Sequence, residues 1–319
     1  MKISISASCA CKQELPIVSL QKGLRMETLF QQRKEKVVVI MGATGTGKTK
    51  LAIDVAKHFQ AAEIVNSDKM QVYKGLDITT NKVTEEESFG VPHHLLGTVD
   101  PNINFTASDF CRHATLAIDN IVERERLPII AGGSNSYLDA LVNHHTEFRL
   151  RYECCFLWVD VALPVLHSSL QARVHRMIDA GQIAEVRDFF HPRADYTRGI
   201  RRAIGVPEFH HFLAAEAHGA DRTTLRRLLR AAIAALKINN CTLATRQLHK
   251  IHRLHSLWKR SMHRLDATEV FLGSRDAWHD HVLSNTFLVL HKFLSADHKP
   301  HLLSTRKLSP PPVAMAVTH

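Results

Sequence analysis

The sequence has no two cysteines in C-x-x-C spacing. Its six cysteines stand at Cys9, Cys11, Cys111, Cys154, Cys155 and Cys241. That scatter excludes a disulfide framework and a zinc finger of the usual spacing, and it fits a reducing compartment. No apolar run approaches the roughly 20 residues that a membrane-spanning helix needs, so a soluble protein without membrane insertion is expected. Aromatic residues make up only 7% of the chain. Side chains on which unpaired bases could stack are therefore few. No internal repeat is present. Acid is in shorter supply than base: 31 Asp and Glu face 41 Lys and Arg, a net charge of +10, with 22 histidines besides. Such a surface favours polyanionic ligands, whether nucleotides, diphosphates or RNA. The 319 residues suffice for one large domain or two modest ones. With 45% hydrophobic residues a real core can form.

What is present is concentrated near the start. Val37-Val38-Val39-Ile40-Met41 is a short apolar, β-branched run, the pattern of a buried parallel strand. Gly42-Ala43-Thr44-Gly45-Thr46-Gly47-Lys48-Thr49 follows, and Leu51, Val55 and Phe59, four apart, open a helix. The spacing G-x-x-x-x-G-K-T between strand and helix is a P-loop. Its amides and helix N-terminus hold phosphates, Lys48 adds a mobile positive charge, and the Thr49 hydroxyl is a ligand for Mg²⁺. Thr44 and Thr46 can also reach a substrate. Gly42, Gly45 and Gly47 form a looser dinucleotide pattern as well, but that turn has no use for a Lys-Thr pair. The motif does not say whose phosphates are held.

Taken in order, residues 1–35 are Ser-, Ala- and Cys-rich at their start and poor in acid. They read as a flexible leader, either an organelle transit peptide or an ordinary disordered start. Glu63 to Val65 forms a strand that delivers Asp68 toward the P-loop ligand, since ligands of open α/β sheets bind at the carboxyl ends of strands. His93-His94 follows a proline and is either a structural pair or a metal site lacking an evident third ligand. Ser108-Asp109 can cap a helix running to Glu123 or Arg124. Leu127 to Ala131 is a third strand, ending in Gly132-Gly133-Ser134-Asn135-Ser136. Phe156 to Val161 is a fourth, whose Asp160 is a candidate Walker-B acid. The alternation predicts a three-layer, parallel α/β core of P-loop NTPase type over residues 36–190. No strand signal returns beyond Arg193. A mainly helical part, 191–295, completes the cleft, with a long basic helix from Thr223 to Arg264. A Pro-rich, disordered tail covers 296–319.

Seven blocks carry a family resemblance: NSDKMQVYKGLDITTNK, GVPHHLLG, AGGSNSYLDALV, CCFLWVDV, RRAIGVPEF, LATRQLHKI and MHRLDATEVF. Unbroken in order from Val37 to about Leu272, they resemble the plant adenylate isopentenyltransferases of cytokinin biosynthesis, relatives of the tRNA isopentenyltransferases. The resemblance implies transfer of a dimethylallyl group from its diphosphate to N6 of the adenine of ADP, ATP or AMP. The P-loop then holds the prenyl diphosphate rather than a nucleotide being hydrolysed. Asp68 is the base for the adenine amino group, and Lys48, Thr44 and Mg²⁺ on Thr49 serve the leaving diphosphate.

By the same resemblance Lys82 and Arg173 bind the diphosphate, and Gly133, Ser134, Asn135 and Ser136 face the acceptor. Arg246 and Gln247 line the cleft or support it. The Ser/Cys-rich, acid-poor leader is expected to direct import into plastids, with the cytoplasm as alternative. Two departures stand out: His175, where relatives often carry Asp, and His210-His211. Two other functions share the motifs: prenylation of tRNA, and a P-loop protein that binds nucleotide or RNA. The tRNA enzymes usually carry a longer chain and often a zinc finger, for which nothing after Cys241 offers ligand cysteines. No stable nucleic-acid partner is expected.

Overall fold

Val37, Val38, Val39, Ile40 and Met41 are all fully buried, because the strand they form has a helical layer on each side. In the computed structural model, which describes residues 34–296 apart from Gln60 and Arg275, six strands form one parallel sheet. They are β1 (Glu35–Met41), β2 (Ala62–Asn66), β3 (His93–His94), β4 (Leu127–Ala131), β5 (Tyr152–Asp160) and β6 (Met262–Asp266). Their spatial order is β3-β2-β4-β1-β5-β6, with β1 between β4 and β5 in parallel register, Val39 opposite Ile130 and Phe156. Expectations for the leader up to residue 33 and for the Pro-rich tail lie outside the described residues.

The longer helices are α1 (Lys48–His58), α2 (Ala107–Glu123), α3 (Leu163–Asp179), α4 (Arg222–Trp258) and α5 (Ser284–Ser295). Side chains alternate across a strand. Val37, Val39 and Met41 therefore join Phe110, Ala114, Ile118 and Ile121 of α2 on one face. Val38 and Ile40 meet Leu51, Ala52 and Val55 of α1, with Leu290 and Leu294 of α5, on the other. Fully burying each of the Val, Leu, Ile, Met and Phe side chains among them is worth about 1.5–3 kcal/mol. Among the described residues no helix is long and apolar enough to cross a membrane.

Three sequence expectations are corrected. The chain beyond Arg193 does contain a strand: β6 pairs with β5 from Phe156–Met262 to Asp160–Asp266. Helix α4 accordingly stops at Trp258 rather than continuing to Arg264. The cap of α2 is Thr106, not Ser108; Thr106 and Asp109 bond reciprocally as a capping box. The histidine pair forms β3, a short edge strand beside β2. Its His94 bonds the buried Glu63 of β2 at 2.6 Å, and Arg124 and Arg126 complete that carboxylate's partners at 2.8 Å each.

Candidate active site

The turn after β1 is a P-loop in three dimensions. Gly45 and Gly47 take positive φ, 82° and 94°, a conformation in which a side chain would be strained. Gly47 caps α1, which begins at Lys48. The Ala43 carbonyl accepts from the Thr46 hydroxyl at 3.0 Å and from Lys48 Nζ at 2.8 Å. Thr46 is thus buried and turned inward, against the expectation that it reaches a substrate. Thr44, Gly45, Gly47, Lys48 and Thr49 line a cleft of about 940 Å³, whereas Gly42 and Ala43 lie buried behind it. Burial draws the Lys48 ammonium down to about 8; Asp68 opposes that shift and Arg173 adds to it. Lys48 is therefore a desolvated cation that a bound anion would restore to full charge.

Arg173 projects from α3 onto the loop. Its Nη2 donates to Thr44 Oγ1 and to Asn240 Oδ1 of α4, both at 3.2 Å, while the buried Nε has no partner among the described residues. Burial, reinforced by Arg176 and opposed by Asp68, lowers its guanidinium to about 10. A buried cation with a donor to spare suits a diphosphate.

Asp68 stands two residues beyond the end of β2 and lines the same cleft. Its Oδ1 accepts from the backbone N–H of Met70 at 2.9 Å and of Gln71 at 3.4 Å. Its Oδ2 accepts no hydrogen bond from the described residues. The second glycine turn packs onto this segment. A Cβ on Gly132 would lie 2.4 Å from the Ser67 carbonyl carbon, so only glycine fits there. Gly133, Ser134, Asn135 and Ser136 all line the cleft. Ser134 Oγ accepts the Lys69 N–H at 2.9 Å, and Asn135 Nδ2 donates to the Gln247 carbonyl at 3.1 Å. The buried Asn135 Oδ1 has no partner among the described residues.

Helix α4 forms the far wall with Asn240, Leu243, Gln247 and Lys250, spaced three, four and three apart, and with Arg246 beside them. Gln247 ties two walls together: Thr44 N–H donates to its Oε1 at 2.7 Å, and its Nε2 donates to the Gly133 carbonyl at 2.8 Å. Sequence reading missed Asn240, Lys69, Arg202 and Lys250 as cleft residues. The helical spacing on α4 was visible, but nothing in it says which face the sheet leaves open. Burial lowers the Lys69 ammonium, and its neighbours Arg202 and Lys250 lower it further while Asp68 opposes them. One end of the cleft is thus a cationic cluster.

Of the other residues singled out from the sequence, His93 reaches the cleft and the rest fall elsewhere. Lys82 Nζ is held by the Gly75 carbonyl at 2.5 Å and by Asp77 at 2.8 Å. It lines an adjoining pocket that shares Arg173 with the main cleft. Asp160, at the end of the strand beside β1, bonds Arg264 at 2.7 Å and does not reach the cleft, so it is not a Walker-B acid. His93 lines the cleft and bonds the Val91 carbonyl through Nδ1 at 2.8 Å. His175 accepts from Lys237 at 2.7 Å, a contact between α3 and α4. His210 pairs with the Tyr196 hydroxyl at 2.5 Å.

A P-loop, a carboxylate with an open oxygen and a cluster of cations lining one cleft define a P-loop α/β protein whose site suits anionic ligands. Comparison with known proteins narrows the class. The profile described as IPP transferase matches residues 71–151 and 143–253, and the chain belongs to that family. It is 55% identical over 320 residues to adenylate isopentenyltransferase 5, chloroplastic, of Arabidopsis thaliana, covering 97% of each chain. It is 50% identical to adenylate isopentenyltransferase 7, mitochondrial, of the same plant, covering 94% of this chain and 92% of that one. A solved eukaryotic dimethylallyltransferase acting on tRNA shares the fold, with a TM-score of 0.71 at 24% identity over 82% of this chain and 80% of that one.

Proposed function

We propose that this enzyme transfers a dimethylallyl group from dimethylallyl diphosphate to N6 of the adenine of AMP, ADP or ATP, the first step of cytokinin biosynthesis. One observation carries the reading: Asp68 Oδ2 opens into the same cleft as the Lys48 and Arg173 cations. The electrophile's leaving group and the nucleophile's base thus share one cavity. The adenine amino group is a poor nucleophile because its lone pair is delocalised into the ring. As N6 bonds to the allylic carbon, the carbon–oxygen bond breaks and its electron pair leaves with the diphosphate. The N6 proton passes to Asp68. The loop amides, Lys48 and Arg173 stabilise the charge growing on the diphosphate.

Mg²⁺ fits this donor set. Thr49 lines the cleft, and a magnesium ion commonly takes one or two protein oxygens, with substrate phosphates and water completing its shell. When bound, it would neutralise diphosphate charge. The cluster of Lys69, Arg202 and Lys250 suits the phosphates of the acceptor nucleotide, and favours ADP and ATP over AMP by charge. Incubating the purified protein with dimethylallyl diphosphate and, separately, AMP, ADP, ATP and tRNA, with products read by mass, tests the reading. Prenylated tRNA in the absence of any prenylated nucleotide would overturn it. The acid-poor, Ser-rich opening of the chain and the chloroplast named for one relative support import into plastids. A fluorescent fusion of residues 1–35 that stays in the cytosol would overturn that.

A further inference from the structure

The side chain of Gln247 spans the cleft between the loop that receives phosphate and the turn that faces the acceptor. Thr44 N–H donates to Oε1 at 2.7 Å and Nε2 donates to the Gly133 carbonyl at 2.8 Å. The backbone carbonyl of the same residue takes Asn135 Nδ2 at 3.1 Å. Three contacts from one residue of α4 therefore join the two glycine turns. Thr44 N–H has one hydrogen to give in a linear bond. It serves Gln247 Oε1 or a phosphate oxygen, not both at full strength.

We propose that Gln247 is a positioning residue that couples the two substrate sites: the diphosphate takes the Thr44 N–H, and the released Oε1 then accepts a hydrogen from the acceptor's amino group. Geometry supports the second half. A Cβ on Gly133 would lie 2.7 Å from Gln247 Nε2 and 3.3 Å from Asp68 Oδ2, so the carboxamide, whose Oε1 is on the Thr44 side, packs at the same glycine as the carboxylate. An adenine amino group carries two hydrogens. Asp68 takes one, and the neutral oxygen of the neighbouring carboxamide, once released from Thr44, suits the other. Leaving a buried carbonyl oxygen unpaired is costly, so each substrate makes the other's binding more favourable. Linkage makes that coupling reciprocal. The inference rests on the P-loop being the prenyl diphosphate site.

The test uses the full chain with Mg²⁺, ADP, and the unreactive analogue of dimethylallyl diphosphate in which sulfur replaces the bridging oxygen. Titration calorimetry measures each ligand alone and in the presence of the other. The wild type is expected to bind each ligand about fivefold more tightly when the other is present. Gln247→Ala, and Gln247→Met, which keeps the length and packing, are expected to lose that coupling. Both variants should bind the analogue alone as tightly as the wild type or more so, because Thr44 N–H has lost its competitor. A merely structural role predicts the reverse: weaker binding of the analogue with coupling retained, and that result overturns the proposal. So does a wild type without coupling. If the analogue fails to displace or bind at the wild-type site at all, the reading of the P-loop itself falls. If it binds and coupling survives both substitutions, only the role of Gln247 falls.

Discussion

Asp68→Asn separates chemistry from binding. The variant keeps an oxygen where Oδ1 now accepts the Met70 and Gln71 amides, so the turn after β2 is retained. What changes is the group that opens into the cleft: an amide nitrogen cannot take the N6 proton. General-base catalysis is typically worth about 10²–10⁴-fold, and the single-turnover rate constant should fall by that order. A second effect follows from electrostatics. The Asp68 charge raises the proton affinities of Lys48, Lys69 and Arg173 against the burial that lowers them. Removing it should carry Lys48 further below its present value of about 8, shifting the alkaline limb of the pH profile of kcat/KM to lower pH. Rapid-quench single turnovers, with the prenyl diphosphate affinity measured separately, check both. If the rate falls only in step with the affinities for Mg²⁺ and diphosphate, Asp68 belongs to the metal's shell and the base lies elsewhere.

Lys48→Ala should leave the melting curve nearly unchanged and lower turnover by about 10²–10³-fold; near-normal turnover would refute the phosphate cradle. In the wild type, Lys48 is cationic below about 8 and loses its proton above it. Initial rates at low prenyl diphosphate should therefore fall as pH rises through that value, while kcat, measured with the anion bound, should hold to higher pH. Glu63→Gln, at the sheet edge, should lower stability in urea melts at neutral pH by about 1.5–3 kcal/mol, toward the low end because Arg124 and Arg126 are half exposed. The Glu63 carboxyl is held below the usual range: burial alone would raise it, and His94, Arg124 and Arg126 more than offset that. Its contribution is complete above the ordinary glutamate value and lost as pH falls through the lowered one, so wild type and variant should converge in acid. Reversing charge with Lys250→Glu should weaken ATP more than AMP in competition assays, and equal losses would remove the cluster from the acceptor site.

The P-loop, strands β1, β2, β4 and β5 as segments and the reach of Asp68 into the cleft were legible because each rests on local rules: β-branched runs, glycine spacing and the carboxyl end of a strand. Strand β6 was not, since Met262-His263-Arg264-Leu265-Asp266 buries only Met262 and Leu265. An edge strand needs no more than that, and so carries little signal. Lys82 has its own acid five residues away, a local pairing that the spacing alone does not reveal. Thr46 was read as reaching outward because a P-loop threonine usually faces its ligand, whereas here the turn's own carbonyl claims it. Gln247 was visible as a cleft residue only through the resemblance; its bond to Thr44 spans 203 positions.

The pairing of β6 with β5 also constrains how the chain acquires its shape. Between Asp160 and Met262 the chain runs out through α3 and α4 and returns, and those helices carry Arg173, Asn240, Gln247 and Lys250. Closing so long a loop costs entropy before any contact repays it, which makes such pairings slow. As the chain is synthesised, the P-loop strand β1, its neighbours β4 and β5, and β2 beyond β4 all emerge before α4 and can dock without the cleft's far wall. The last sheet edge and the far wall of the cleft are then acquired late, the strand emerging just after the long helix. An unfinished chain lacks the wall that would hold the acceptor, so catalytic competence arrives with the final layer of the fold.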